Sequence, residues 1–412
     1  RSEMQCCRAI KGCSITVKQK TGGCREIPDS PLSVCTPEII LLKILYLQKC
    51  RYRKRYKNRV QNKPHICLHK FAGYAIIYVV RRNAVLWADK RYHSLDYEMK
   101  ARYGHKIYKI ALDGGFTCPN RDGLIDARGC IFCSAGGSGD FAASRNQSIT
   151  EQIEEGKQLL AGKRLSGQPE IGSKESPMPC YIAYFQAFTG TYAPIDRLRA
   201  LYTEAIRHPE VAILSIATRP DCLQPEVLDL LSELNQIKPV WVELGLQSIH
   251  PQTAAYIRRG YPLSVYDAAV LNLHERGIEV ITHVILGLPG ETADDMLATA
   301  DYIAHQPIQG VKFQLLHVLK GTDLYTDYLQ QPFHVLTLEE YTDILIRCIE
   351  HMPPDVIIHR ITGDGPKHLL AAPDWSRNKK QVLNHIHHCM KLRNAWQGRC
   401  YVPLTNDYYN RN

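Results

Sequence analysis

Three stretches decide the fold: Val211-Ala-Ile-Leu-Ser-Ile-Ala-Thr218, Val240-Trp-Val-Glu-Leu-Gly-Leu-Gln247 and Glu279-Val-Ile-Thr-His-Val-Ile-Leu286. Each run is short and almost continuously apolar, with none of the strict alternation of a strand that has one wet face. Between them lie helical patterns, Gln224–Leu234 and then Pro251–Arg258 and Ser264–Glu275. Strands buried on both faces and separated by amphipathic helices imply a parallel sheet covered by helices. Working outward, His105–Leu112, Tyr181–Gln186 and Val311–His317 read as further strands, and Ser148–Leu160, Pro194–Arg207 and Thr292–His305 as further helices. Six strands suit an open or partial (β/α)6 barrel of the α/β class better than a complete eight-strand one. Beyond Gln330 a small α/β extension follows, with helix Leu338–Glu350, strand Val356–Arg360 and basic helix Lys379–Leu392. The chain therefore divides into segments 1–86, 87–330 and 331–412.

The 412 residues are 45% hydrophobic and 22% charged, which excludes a disordered, collagen-like or membrane-embedded chain as a whole. The formal net charge of +10 would hint at nucleic acid, but it is unevenly placed. Arg1 to Tyr92 holds 20 Lys and Arg against 5 Asp and Glu, a net of +15, which leaves −5 for the remainder. Seven of the 15 cysteines also fall in that stretch. Its apolar runs, Glu38–Leu47 and Phe71–Val80, are too short to span a bilayer, which takes ~20 residues. No signal peptide is legible at the front. The run Arg51-Tyr-Arg-Lys-Arg-Tyr-Lys-Asn-Arg59 could be a nucleic-acid arm. The plainer reading of residues 1–86 is an atypical basic, cysteine-rich extension, disordered or spurious, since the chain opens on Arg1 rather than Met.

In a parallel α/β fold, chemistry gathers at the carboxyl ends of the strands. After the first strand comes Cys118-Pro-Asn-Arg-Asp-Gly-Leu-Ile-Asp-Ala-Arg-Gly-Cys130-Ile-Phe-Cys133, a C-x11-C-x2-C pattern. Structural zinc takes four closed ligands, and the nearest candidate for a fourth, Cys180, stands beyond a helix. An iron–sulfur cubane held by three thiolates keeps one iron open for a small molecule. A redox dithiol at Cys130 and Cys133 is a third option. Spacing leans towards the open cluster and leaves the other two standing.

Longer motifs carry a resemblance. Lys90-Arg-Tyr-His-Ser-Leu95, Gly115-Phe-Thr-Cys-Pro-Asn-Arg-Asp-Gly123, Tyr184-Phe-Gln-Ala-Phe-Thr189, Thr218-Arg-Pro-Asp-Cys222, Trp241-Val-Glu-Leu-Gly-Leu-Gln-Ser248, His283-Val-Ile-Leu-Gly-Leu-Pro-Gly-Glu291 and His359-Arg-Ile-Thr-Gly-Asp-Gly-Pro366 occur in order. From Trp87 to Cys400 the chain resembles the radical S-adenosylmethionine (radical SAM) superfamily, specifically its Elongator-catalytic-subunit-like bacterial subfamily (YhcC-type). The resemblance implies a radical SAM core over 87–330 and a subfamily extension over 331–412. It implies that Cys118, Cys130 and Cys133 hold a 4Fe-4S cluster whose fourth iron chelates S-adenosylmethionine. Reductive cleavage of that molecule gives a 5′-deoxyadenosyl radical that takes hydrogen from a substrate. An electron donor such as a flavodoxin or ferredoxin is implied too. Kinship to the Elongator subunit points to modification of tRNA at the wobble uridine, in the cytoplasm and without a membrane. The rivals are a small-metabolite or protein substrate, or a non-catalytic metal or iron–sulfur protein that binds nucleic acid.

The same resemblance assigns cofactor contacts. Phe132 would lie against the adenine, and Gln186 and Thr189 would meet the methionine amino group, in place of the superfamily's usual Gly-Gly-Glu. Thr218 and Arg219 would face the cofactor carboxylate or a substrate phosphate, with an Arg219–Asp221 ion pair as the rival. Glu243 and Gln247 would end the fourth strand and touch ribose or substrate. His283, His317 and His359 read as satisfied core histidines. The cations near the C-terminus, Lys379, Lys380, Lys391, Arg393 and Arg399, read as a solvated face or as contacts to an RNA backbone.

Overall fold

The computed structural model describes residues 86–137, 139, 142–164, 180–363 and 365–403, together with four short strands nearer the N-terminus. Those four, Ile15–Lys18, Cys24–Arg25, His65–Phe71 and Tyr74–Val80, pair antiparallel in one sheet. The basic run Arg51–Arg59 and the expected disorder of the rest of the extension lie outside the described residues. Compact units divide between Leu86 and Trp87.

The second unit is built on seven strands: β1 (Tyr108–Leu112), β2 (Tyr181–Phe185), β3 (Val211–Thr218), β4 (Val240–Gln247), β5 (Glu279–Leu286), β6 (Gly310–Leu315) and β7 (Ile357–Arg360). Their order in the sheet is their order in the chain, and every neighbouring pair is parallel. The sheet curls into a partial barrel, the architecture expected from the sequence. One detail differs. The strand near Val356, read as belonging to the extension, pairs with β6 and is the seventh strand of the same sheet.

Helices cross between the strands: α1 (Leu95–Tyr103), α2 (Ile149–Arg164), α3 (Ile195–Arg207), α4 (Pro225–Asn235), α5 (Pro251–Tyr256), α6 (Leu263–Glu275), α7 (Ala293–Ala304), α8 (Asp323–Gln330), α9 (Leu338–His351) and α10 (Lys379–Leu392). Local chemistry fixes several ends. Thr292 and Thr337 each accept a hydrogen bond from the backbone three residues on, where Asp295 and Glu340 reply to the cap, so α7 and α9 begin with capping boxes. The outer core gathers Leu198 and Tyr202 of α3, Leu230 and Leu231 of α4, Tyr341 and Leu345 of α9, and the outward faces of the strands. Each such side chain contributes roughly 1.5–3 kcal/mol through burial. Trp375 beyond β7 donates Nε1–H to the Leu336 carbonyl (3.0 Å) and so ties the last segment to the barrel.

Inside the curl, the floor is apolar: Ile182, Ile213, Trp241 and Ile281 pack with Met99 of α1. Above it the strands turn polar. Glu243, expected at the end of the fourth strand, lies mid-strand, fully buried, opposite Ile281 of β5. Its carboxylate accepts from Lys109 of β1 (2.6 Å), Ser215 of β3 (2.8 Å), His283 of β5 (2.8 Å) and Lys312 of β6. A buried carboxylate is tolerated only when it is paired and hydrogen-bonded. Burial works to raise its pKa, but Lys109 and Lys312 outweigh that and hold it well below the usual carboxylate range. Removing one partner of such a buried set leaves unpaired charge at a cost of about 3–5 kcal/mol. Urea unfolding of Glu243→Ala should therefore show a loss of that size, and an unchanged midpoint would show that the charge is not structural.

Candidate functional site

The site begins where β1 stops. Gln152 of α2 receives the Asp113 amide (2.9 Å) and donates to the Asp113 carbonyl (3.0 Å), which pins the chain as it leaves the sheet. The cysteine loop follows, folded on its own backbone: Arg121 N–H to the Cys118 carbonyl (2.8 Å), Ile125 N–H to Pro119 (2.8 Å), Gly129 N–H to Asn120 (2.6 Å) and Cys133 N–H to Cys130 (3.0 Å). Arg121 Nη2 bonds the carbonyls of Cys133 (2.9 Å) and Ser134 (2.6 Å). Ile131 N–H meets the Ile257 carbonyl (3.3 Å), and its own carbonyl receives the Leu324 amide (3.0 Å). The loop is thereby fastened to the chain after α5 and to the start of α8.

Asn120 is the hub of this docking. Its fully buried amide donates to the Arg258 carbonyl (2.7 Å) and to Cys130 Sγ (3.4 Å). Gly260, at φ +83°, has no Cβ; one would stand 2.9 Å from Asn120 Oδ1 and 3.2 Å from Arg219 Nη2. Arg259 closes the end of β4 with bonds to the carbonyls of Leu246 (3.1 Å) and Ser248 (2.6 Å). Sequence reasoning singled out none of Asn120, Arg258, Arg259 and Gly260. The only signal was their membership of polar, glycine-bearing loops.

The three cysteines share one neighbourhood. Burial pushes the Cys130 thiol up to about 12; Cys133 adds to this, while the Asn120 bond and the Arg219 charge work against it. Cys118 acts on the same thiol and on Arg219. They do not form a closed set: among the described residues no three His, Cys, Asp or Glu side chains stand close enough to hold a single ion. Cys130 points its thiol at the Arg258 carbonyl (3.7 Å). Cys180, weighed as a fourth ligand, lies at the opposite end of β2 beside His105 (3.7 Å). Cys118 also acts on Cys222, whose thiol burial and Asp221 push up to about 12.

The remaining expected contacts mostly ring this loop. Gln186 follows β2 and continues its pairing to Leu112 (3.4 Å); Thr189 is buried, its amide on the Thr117 carbonyl (3.2 Å) beside Cys118. Thr218 ends β3, its hydroxyl 2.5 Å from that of Thr191. Arg219 makes the bidentate pair with Asp221 (2.9 and 2.7 Å) and lies over the Tyr261 ring. Burial opposes its charge, and the Asp221 bonds overcome that. Gln247 ends β4 at φ +67°, where the register with β5 slips, and its Oε1 is buried without a hydrogen-bond partner. Phe132 packs in a second apolar cluster with Ile285, Leu288 and Leu316, above β5 and β6. Glu243 does not join them; its oxygens are taken up inside the barrel. Arg393 and Arg399, candidates for RNA contacts, pair with Asp343 and Glu350 of α9.

Comparison with known proteins gives the family. The Radical SAM superfamily model matches residues 127–303, and the Radical_SAM C-terminal domain matches 308–392. YtqA of Bacillus subtilis is 43% identical over 319 residues, covering 77% of this chain and 95% of that protein. The chain belongs to the radical S-adenosylmethionine superfamily. YhcC of Escherichia coli is 37% identical over 313 residues, 75% of this chain and 96% of its own. The tRNA uridine(34) acetyltransferase of Methanocaldococcus infernus is 28% identical over 171 residues, 40% of this chain and 30% of that protein. The solved structure of archaeal M. infernus Elp3 lacking residues 1–46 superposes with a TM-score of 0.53, at 18% identity over 71% of this chain and 64% of that one, which speaks for the fold. This is a radical SAM enzyme that uses a 4Fe-4S cluster and S-adenosylmethionine. Among the described residues no helix is long and apolar enough to cross a membrane.

A buried thiol with a raised pKa reacts slowly, because the thiolate is the nucleophile. In iron-free protein at pH 8, Cys130 should be alkylated at least about tenfold more slowly than in urea. Equal rates would contradict the docked loop.

Proposed function

We propose that Cys118, Cys130 and Cys133 hold the cluster, and that the enzyme uses it to modify tRNA at a uridine. The observation that carries the ligand reading is the placement of three thiols, two of them acting on Cys130, on one docked loop at the carboxyl face of the sheet. The donor set suits an iron–sulfur cluster. Three thiolates leave one iron open, the Asn120 amide donates to a ligand sulfur, and the Arg219 guanidinium lends positive charge near Cys118 and Cys130. Such outer contacts orient ligands and tune a metal centre. Together the cluster and S-adenosylmethionine supply one-electron cleavage of the sulfonium C–S bond, giving methionine and a 5′-deoxyadenosyl radical.

The chain's own residues bind and orient. Arg219, held by Asp221 through two of its five N–H groups, keeps others for the cofactor carboxylate. The unpartnered Gln247 Oε1 is an acceptor for a ribose hydroxyl. In this reading Phe132 offers a flat apolar surface to adenine, and Gln186 and Thr189, on the segment after β2, are the groups assigned to the methionine amino group. The tRNA reading is supported by the tRNA uridine(34) acetyltransferase among the relatives. It gains nothing from the total charge, because the residues after Tyr92 carry −5. The reading includes a protein electron donor such as a flavodoxin or ferredoxin, and the cytoplasm as the place of work.

Replacing Cys118, Cys130 and Cys133 together with Ala should abolish iron uptake on anaerobic reconstitution, while Cys180→Ala should keep it. Iron retained by the triple variant would overturn the ligand assignment. Nucleoside profiles of tRNA from cells with and without the gene test the substrate: a missing modified uridine supports it, and identical profiles contradict it.

A further inference from the structure

The cysteine loop contains a buried amide that is only half satisfied. Asn120 has no exposure to water, and its main-chain carbonyl accepts from the Gly129 amide (2.6 Å). Its side-chain Nδ2 stands 2.7 Å from the Arg258 carbonyl oxygen and 3.4 Å from Cys130 Sγ. Oδ1 is buried with no hydrogen-bond partner. The two ends of the amide are not interchangeable. An oxygen in the place of Nδ2 would face the Arg258 carbonyl at 2.7 Å, acceptor against acceptor. Gly260 gives the orphan oxygen room, since a Cβ there would stand 2.9 Å from it.

Docking alone does not account for this arrangement. A buried acceptor left unpaired is costly and calls for a reason other than stability. The loop is already tied to the same segment by Ile131 N–H on the Ile257 carbonyl (3.3 Å). What the Asn120 amide adds is an N–H that faces sulfur.

The sulfur needs that donor most once it is deprotonated. As a thiol, Cys130 points its hydrogen at the Arg258 carbonyl (3.7 Å). As a thiolate on iron it has no hydrogen and can only accept, and the carbonyl turns from partner into repulsive neighbour. One N–H of Asn120 then holds the carbonyl and the other holds the sulfur. Negative charge added to a cluster spreads onto its sulfur ligands, so a donor on one of them favours the reduced form over the oxidised one. Hydrogen bonds to sulfur are among the contacts that set cluster potentials, and a low local dielectric strengthens them.

We infer that Asn120 is a positioning residue of the cluster, which orients the Cys130 thiolate and raises the potential at which the cluster accepts its electron. The inference rests on the ligand reading proposed above and adds a direction to it: this side chain eases reduction by the electron donor.

The test is a dye-mediated reductive titration of the anaerobically reconstituted full chain, followed by the electron paramagnetic resonance signal of the reduced cluster. Iron and sulfide are counted in the same samples. Asn120→Leu keeps the size and loses the N–H; its cluster should be about tenfold harder to reduce, a midpoint about 59 mV lower for one electron. Asn120→Asp keeps the shape and puts an acceptor beside the sulfur, so its midpoint should fall further. Ile257→Val trims the buried packing under the same loop without touching a sulfur and should leave the midpoint unchanged. A midpoint that stays at the wild-type value or rises in the loaded Asn120 variants would overturn the inference. So would an equal fall in Ile257→Val, which would mark the effect as loosened docking. Wild-type protein that takes up no iron would instead sink the ligand reading itself, whereas loaded wild-type protein beside unshifted Asn120 variants sinks only the role of Asn120.

Discussion

A carboxylate with no exposure to water sets the terms for this barrel. Glu243 cannot stay ionised inside a protein unless cations and hydrogen-bond donors come to it, and the groups that come belong to four other strands: Lys109 of β1, Ser215 of β3, His283 of β5 and Lys312 of β6. Ladder hydrogen bonds link only adjacent strands. This one side chain joins β1 to β6 across the concave face and so fixes the curvature that an open sheet would otherwise choose for itself. The carboxyl ends of the strands, and every loop that leaves them, inherit their relative positions from that constraint.

The cysteine loop is fastened on that rim by a second set of bonds. Asn120 couples it to the chain after α5, Ile131 to both that segment and α8, and Arg121 locks its own far end. The result is two levels of chemistry along the barrel axis. Thiols, Arg219 and Gln247 lie at the rim; the lysines, histidines and Glu243 lie within. An apolar floor closes the interior beneath them.

Much of this was legible in the sequence. Strands buried on both faces are apolar throughout, so runs such as Tyr181–Phe185 and Val211–Thr218 announce themselves, and capped amphipathic helices fill the gaps. The seventh strand was recognised as a strand but not as a member of the sheet, because α8 and α9 intervene and pairing leaves no local mark. Glu243 was misplaced for a similar reason: a polar residue in an apolar run looks like the end of the run until the register is known. The lysines inside two short strands, Lys109 in YKIAL and Lys312 in GVKFQL, were available signals that went unread. Asn120 and Arg258 act through long-range contacts that no spacing rule reports.

The central claim is that this chain uses its three loop cysteines to carry out radical chemistry with S-adenosylmethionine. The direct measurement is formation of 5′-deoxyadenosine by the anaerobically reconstituted, reduced protein incubated with S-adenosylmethionine. The account predicts 5′-deoxyadenosine and methionine in equal amounts, and none above background from protein lacking Cys118, Cys130 and Cys133. A protein that holds a full complement of iron and sulfide, accepts electrons and still yields no 5′-deoxyadenosine would contradict it.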